Sequence, residues 1–172
     1  MVIMALCIKL DSKGPVLFKQ VQLGKGMKPI TVFKFRTMCN HAYEMGGYCY
    51  ECVRFSYNQG GAFLRRTSLD ELPQMFSIQN GTMAIIGPRP ILDCEFEEDK
   101  DKKPCYAKRY DVKPGMFCTV DVVDRAAERD MQFEMDADYA EKLLFALDVK
   151  TFFGIFAPVL TGRGVYKDEL ST

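Results

Sequence analysis

The first regular pattern of hydrophobic and polar residues lies between residues 15 and 36. The segments PVLFKQVQL and ITVFKFR are rich in β-branched and aromatic residues, and GKGMKP between them contains glycine and proline. This pattern is typical of a β-hairpin. Because side chains two positions apart leave the same face of a strand, we expect Lys34 and Arg36 to lie together. Phe33 and Phe35 are expected on the opposite face.

A helical period replaces the strand pattern between residues 69 and 79, where the apolar residues recur every three or four positions. Ser68 and Glu71 have the spacing of a capping box, and acids in a first turn gain about 0.3–1 kcal/mol each from the helix dipole. Pro73 would remove a backbone donor just inside such a helix. The helix is therefore expected to start nearer Asp70 or to kink.

Several shorter segments complete the prediction of secondary structure. Asn80-Gly81 is a suitable helix stop, the strand MAIIG follows, and the prolines of GPRP bias Arg89 toward extended backbone. The sequence further predicts a charged helix or loop, a turn before a strand, and a helical region, at residues 93–103, 114–115 and 128–149. We expect an α/β (α+β) fold, with a small sheet or hairpin of short strands and with peripheral and membrane-interfacial helices.

Composition and charge narrow the function classes. A chain of 172 residues suits one domain, here taken as residues 1–172. The 23 basic and 23 acidic residues cancel, so the net charge gives no argument for a nucleic-acid partner. Seven cysteines without a recognisable secretory signal favour a reducing compartment over a disulfide scaffold.

Two segments have more than one interpretation. The start, MVIMALCIKL, has only a short apolar run, far below the roughly 20 residues of a membrane-spanning helix, so a buried strand, a helix end and the stub of a longer segment stay open. Residues 38–61 lack a clear period and predict a long loop. A structural zinc site there is a minor alternative to free thiols, with the candidate ligands Cys39, His41, Cys49 and Cys52.

The adjacent acids Asp70 and Glu71, hereafter the acidic pair, are the strongest candidates for chemistry. Neighbouring helix positions point roughly 100° apart, so they cannot hold a glycosidic bond from opposite sides, which disfavours a two-carboxylate hydrolase. One could attack phosphorus while the other binds a divalent cation, although helix capping alone is an alternative. Such chemistry needs cations to neutralise phosphate, and the candidates are Lys34, Arg36, Arg65, Arg66 and Arg89.

Five motifs, in this order and spacing, resemble those of the bacterial sugar transferases, also called monotopic polyprenyl-phosphate phosphoglycosyltransferases. They read GPVLFKQ, KFRTM, RRTSLDELPQMF, NGTMAIIGPRP and YDVKPG, and the resemblance covers roughly residues 5–165. It implies transfer of a sugar-1-phosphate from a UDP-sugar to polyprenyl phosphate, such as undecaprenyl phosphate, with release of UMP, in glycan or exopolysaccharide synthesis. By the same resemblance Asp70 is the nucleophile that forms a phosphosugar intermediate, and Glu71 helps to bind Mg²⁺.

The resemblance also assigns the binding residues and a location. Arg65 resembles the phosphate-binding arginine, with Arg66 beside it; Lys34 and Arg36 belong to the KFRTM strand. Arg89 is expected in the nucleotide-sugar site, and Asp136 is expected as an active-site neighbour. The enzyme would work at the cytoplasmic face of the bacterial inner membrane, on the membrane surface. For each arginine a structural salt bridge is the alternative, and for Asp148 a structural role is favoured.

Two departures from the family pattern leave a second function open. Family members carry a longer N-terminal re-entrant membrane helix, of which this sequence is expected to contain only the end, so either the chain is a fragment or another anchor serves, with residues 152–160 as an interfacial element or a core helix. After Pro114-Gly115 the chain reads MFCTVDVVDRAA in place of a Gly and Gln-Val-containing stretch. An inactive homologue that binds nucleotide sugars or regulates a partner is therefore the alternative.

Overall fold

The structure, a computed structural model, describes residues 1–11, 13–38, 60–124 and 127–156. They form two compact units. Unit 1 comprises Met1–Lys19 and Phe33–Pro73, and unit 2 comprises Gln20–Val32 and Gln74–Thr172. Helices and two two-stranded sheets confirm the mixed α/β class. The single-domain assignment stays a prediction.

Helices and short strands are interspersed along the described part of the chain. The helices are α1 Val2–Asp11, α2 Gly61–Arg66, α3 Met75–Gln79, α4 Asp93–Asp99, α5 Thr119–Val123, α6 Arg129–Lys142 and α7 Phe145–Gly154. The strands are β1 Leu17–Leu23, β2 Pro29–Phe35, β3 Ala84–Ile86 and β4 Gly115–Phe117. Short 3₁₀ helices span Lys25–Met27, Leu69–Gln74 and Pro104–Asp111.

The predicted hairpin is confirmed, because β1 and β2 form a two-stranded sheet. The N–H of Gly24 donates to the carbonyl of Lys28 (2.8 Å) and closes the connection, and Gly26 adopts a φ of 65° that favours glycine. The apolar character of both strands and the glycine in the turn therefore set this element locally.

Unit 1 is built on a small hydrophobic cluster. Ile8 of α1, Phe35 of β2 and Leu64 of α2 are buried together, and Leu69 and Leu72 pack against them. The N-terminal segment is thus a helix with one buried face. Four other apolar side chains of this helix are exposed: Val2, Ile3, Leu6 and Leu10. Within the described ranges, no helix combines the length and apolar character needed to cross a membrane.

Unit 2 has an aromatic core between the 3₁₀ helix Pro104–Asp111 and α6. The rings of Tyr106 and Phe133 meet edge to face with centroids 5.1 Å apart, and those of Phe96 and Tyr110 do so at 4.9 Å. Leu23 and Ile91 complete the cluster. The first part of the predicted charged segment 93–103 is thus a helix, α4, which ends at Asp99 and buries Phe96.

The two short strands that the sequence predicted after residue 81 pair in parallel, with Ala84 opposite Gly115 and Ile86 opposite Phe117. The pairing needs glycine at position 115, because a Cβ there would lie 2.1 Å from the backbone nitrogen of Gly87. The turn at Pro114-Gly115 is therefore a packing requirement as well as a local preference.

The structure corrects one helix prediction. The helix expected across 128–149 ends at Lys142, because Leu143 turns the backbone to a φ of 29°, and α7 starts anew at Phe145. The hydroxyl of Tyr139 donates to Asp148 (2.7 Å) across this break, a contact that agrees with the structural role favoured for Asp148.

The helical region predicted over residues 69–79 is present. This region is helical but changes from the 3₁₀ helix with Pro73 inside it to α3, so the conflict between proline and α-helix is avoided by the start and break that the sequence suggested. The stop at Asn80-Gly81 is confirmed, with Gly81 at a φ of 75°. Residues 39–59, with the zinc candidates Cys39, His41, Cys49 and Cys52, and residues 157–160 lie outside the described residues.

Candidate active site

The acidic pair lies on the 3₁₀ helix Leu69–Gln74 of unit 1. Leu69 and Leu72 pack on the core of this unit on either side of the pair, and this packing fixes the turn. Asp70 is only 7% exposed, whereas the Glu71 side chain is 17% exposed. The two neighbouring acids therefore differ in their access to water, which the sequence alone does not show.

Lys34 of β2 is the direct partner of Glu71. Its Nζ donates to Glu71 Oε1 at 3.0 Å, and both side chains are partly buried. Strand β2 thus brings Lys34 of the KFRTM motif into contact with Glu71 of the RRTSLDELPQ motif, although the two motifs are far apart in the sequence. This contact supports the expectation that Lys34 belongs to the site.

Asp70 is a buried carboxylate with two cations near it. Burial raises its pKa to about 6, the charge of Glu71 adds to the rise, and the charges of Lys34 and Arg65 oppose it. Among the described residues, no salt bridge within 4 Å closes on Asp70. At neutral pH this side chain is mostly an anion with nearby cations, which is what a carboxylate nucleophile requires.

Arg65 and Arg36 are held by different parts of unit 1. Arg65 Nε donates to Thr37 Oγ1 at 3.3 Å, and α2 approaches so closely that a Cβ on Gly61 would lie 2.0 Å from the carbonyl oxygen of Thr37. Arg36 is buried, and its Nη1 donates to the carbonyl of Lys13 at 2.5 Å. Arg36 therefore makes a structural contact within unit 1, in addition to the substrate-binding role that the sequence predicts.

A second set of charges lies in unit 2. Arg89 Nη1 lies 3.3 Å from Asp121 Oδ1, and Arg109 donates a hydrogen bond to the carbonyl of Arg89. Arg109 Nη2 is 2.7 Å from Asp136 Oδ2, and both of these side chains are 1% exposed. Burial raises the pKa of Asp136 to about 7, the charge of Arg109 opposes the rise, and that of Asp121 adds to it. Asp136 is thus a partner in a buried ion pair.

Comparison with known proteins places this chain in a family. A family model described as bacterial sugar transferase matches residues 1–162. The chain belongs to the bacterial sugar transferase family. This confirms the resemblance carried by the five motifs, and it makes the chain a member of a family of enzymes.

Two relatives of this sugar transferase are much longer than the chain. It is 34% identical to UDP-N-acetylgalactosamine-undecaprenyl-phosphate N-acetylgalactosaminephosphotransferase of Aeromonas hydrophila, an alignment covering 93% of the chain and 39% of the relative. It is 37% identical to UDP-glucose:undecaprenyl-phosphate glucose-1-phosphate transferase of Caulobacter vibrioides, covering 94% of the chain and 63% of the relative. A sugar transferase of Bacillus subtilis named EpsL is 34% identical over 92% of the chain and 76% of its own length.

The acidic pair of this sugar transferase offers carboxylate oxygens, the ligand type that Mg²⁺ prefers. Within the described part of the chain, no group of three or more histidine, cysteine, aspartate or glutamate residues gathers as a metal cage. Mg²⁺ does not need one, because it usually binds one or two carboxylates together with water and substrate phosphates. Burial is the main cause of the raised pKa of Asp70, and the charge of Glu71 adds to it. A divalent cation between the two acids would offset the repulsion from Glu71.

Sequence reasoning missed two residues of the second charge set, Arg109 and Asp121. Arg109 lies just before the YDVKPG motif, and Asp121 lies in the segment that departs from the family pattern, so position beside a motif was the available signal. Arg66 ends α2, and its side chain lies outside the described residues. The substrate-binding assignments of Lys34, Arg36, Arg65, Arg66, Arg89 and Asp136 stay predictions.

Proposed function

We propose that this sugar transferase moves a sugar-1-phosphate from a UDP-sugar to undecaprenyl phosphate and releases UMP, at the cytoplasmic face of the bacterial inner membrane. The observation that carries the proposal is the state of Asp70, a buried carboxylate with Lys34 and Arg65 near it but no direct counter-ion among the described residues. The names of the relatives, which are undecaprenyl-phosphate sugar phosphotransferases, support the same reaction class.

The proposed reaction has two displacements at one phosphorus. A carboxylate oxygen of Asp70 attacks the β-phosphorus of the donor, the bond from that phosphorus to the bridging oxygen breaks, and UMP leaves. A phosphate oxygen of the polyprenyl acceptor then attacks the same phosphorus, and the bond to Asp70 breaks. The product is a polyprenyl-diphosphosugar, and Asp70 is free again.

The neighbouring residues have supporting roles in this proposal. Glu71, with Asp70 beside it, would hold Mg²⁺, which when bound supplies positive charge to the phosphate oxygens. Lys34 orients Glu71 through their 3.0 Å contact. Arg65 is placed by Thr37 to offset the negative charge that the phosphates bring to Asp70.

The decisive experiment follows the β-phosphate. Wild-type protein is mixed with Mg²⁺ and UDP-glucose or UDP-N-acetylgalactosamine radiolabelled in the β-phosphate, without acceptor, and retained label is measured after denaturation. We expect a covalent adduct that undecaprenyl phosphate discharges. Asp70→Asn should lower adduct formation by at least about 10³-fold, because an amide is not a nucleophile here.

The control is Asp138→Asn, which removes a carboxylate from an exposed pair with Lys142 on α6. This variant should form the adduct like wild type. Absence of both adduct and UMP release across a broad donor panel would contradict the proposal. Tight donor binding in calorimetry without turnover would favour the alternative of a non-catalytic nucleotide-sugar-binding protein, for which the altered segment after Gly115 is the motivation.

A further inference from the structure

Arg89 is held at both its backbone and its side chain. Pro90, which follows it, disfavours the helical region for Arg89, and Arg109 donates a hydrogen bond to the carbonyl oxygen of Arg89. The guanidinium is then held by Asp121 at 3.3 Å. A long arginine side chain normally samples many rotamers, so two anchors on one residue reduce this freedom considerably.

Asp121 is itself fixed by the backbone. Its Oδ2 accepts the N–H of Cys118 at 3.2 Å, while its Oδ1 faces Arg89, so each carboxylate oxygen has a different partner. Asp121 lies in the first turn of α5 and its side chain is 7% exposed. A buried carboxylate that bridges a helix start and an arginine has little freedom to rotate.

A second, buried ion pair supports the backbone of Arg89. Arg109, which holds the carbonyl of Arg89, is paired with Asp136 at 2.7 Å, and the two side chains are 1% exposed. The Arg89 side chain is 41% exposed, so the guanidinium is accessible while its support is buried. The exposed end of the network is therefore cationic, and its buried end contains the charges that fix it.

We propose that Asp121 is a positioning residue that holds the guanidinium of Arg89 for contact with the anionic part of a nucleoside diphosphate-sugar donor. This inference rests on the proposed function. It also gives a role to a residue in the segment that departs from the family pattern. Pre-oriented arginines suit phosphate because the fork of N–H donors must match the oxygens in direction as well as in charge.

Kinetics of the full chain test the inference. Asp121→Asn keeps an acceptor for the Cys118 N–H but removes the charge that faces Arg89. We expect the KM for the UDP-sugar donor to rise about tenfold with kcat within about twofold, because binding shared by ground state and transition state is lost. Asp121→Glu, which keeps the charge and suits the third position of a helix, should restore most of the affinity.

Two further variants separate positioning from folding. Asp138→Asn removes one carboxylate from an exposed pair and should leave the donor KM unchanged. Arg89→Lys keeps the charge and leaves the Asp121 contact with Cys118 in place, and it should raise the donor KM to a similar extent. If positioning is correct, the double variant of Arg89→Lys and Asp121→Asn is no worse than either single variant. Additive effects would overturn the inference.

A readout without turnover keeps this test independent of the proposed reaction. Nuclear magnetic resonance of the Arg89 side chain should show a guanidinium with slowed rotation in wild type and free rotation in Asp121→Asn. Equal rotation in the two proteins would overturn the inference. If wild type shows slowed rotation but no UMP release with any donor, the proposed function fails while the positioning of Arg89 stands.

Discussion

Asp70 in unit 1 and Asp136 in unit 2 are both buried, but they differ in whether a described cation pairs with them directly. Burial is the main reason why the pKa is raised in both, to about 6 and about 7. Asp136 is paired with Arg109 at 2.7 Å, whereas the cations near Asp70 act on it without a salt bridge among the described residues. Two buried aspartates of one chain thus separate into a structural partner and a candidate nucleophile.

The difference teaches that burial and a raised pKa do not by themselves mark a catalytic acid. Structural ion-pair networks perturb pKa values too. What distinguishes Asp70 from Asp136 is whether a cation forms a salt bridge with the carboxylate. A direct partner blocks attack on phosphorus, while cations at a greater distance keep the oxygen available and still stabilise its charge.

The largest expected effect is on stability, when the buried ion pair of Asp136 with Arg109 is removed. Arg109→Met leaves Asp136 buried without a partner and should lower the free energy of unfolding by about 3–5 kcal/mol. Adding Asp136→Leu should recover most of the loss, because an apolar pair of similar volume no longer needs ionic compensation. Urea unfolding followed by tyrosine fluorescence would measure this, since the chain has eight tyrosines and no tryptophan.

The matched control is Arg129→Met, which removes an arginine that is 40% exposed and pairs with Glu98 and Asp99. Its effect should stay below about 1 kcal/mol. If Arg109→Met were equally mild, Asp136 would not need its partner, and the structural role given to the pair would be wrong.

The next effect concerns how the free energy of unfolding depends on pH through Asp70, the candidate nucleophile. The pKa of Asp70 is raised from 3.8 to about 6 by folding. The folded state therefore binds its proton more tightly than the unfolded state. The resulting stability is fully present below about pH 3.8 and is lost as the pH rises through about 6.

Asp70→Asn removes the loss of stability that ionisation of Asp70 causes at high pH. At pH 8 the variant should be more stable than wild type by as much as about 3 kcal/mol, and the difference should shrink when the pH falls to about 4. Urea unfolding at both pH values tests this. Asp138→Asn, an exposed change of the same kind, should show no comparable dependence. A variant less stable than wild type at pH 8 would indicate that Asp70 has a structural partner after all.

The smallest effect sharpens the electrostatic description of Asp70. Glu71→Gln should lower the pKa of Asp70 by about one pH unit, and Lys34→Met should raise it by a similar amount, because the two charges act in opposite directions. Carboxyl carbon resonances followed through a pH titration without metal would measure both. Lys19→Met is the control, because Lys19 lies over the Phe33 ring and is not among the charges that act on Asp70. Identical pKa values in all variants would leave burial as the only cause.

The sequence determined much of the local structure. The hairpin, the short strands around residues 84 and 115, the helix stop at Gly81 and the acidic pair all follow from residue types and spacings that act over a few positions. The five motifs also identified the family, which the family match confirms. The break at Leu143 escaped prediction because no glycine or proline marks it, and the backbone there is fixed by contacts such as that of Tyr139 with Asp148.

Only the tertiary structure separated the charged residues by role. Lys34 contacts Glu71, and Arg109 contacts Asp136, across long stretches of chain, so no periodicity could pair them. Burial acts in the same way, because the dielectric environment of a carboxylate is set by every segment that packs around it. Residue types therefore supplied the candidates for chemistry. The packing of distant segments decided that Asp136 is paired directly with Arg109, whereas Asp70 forms no salt bridge with any residue that the structure describes.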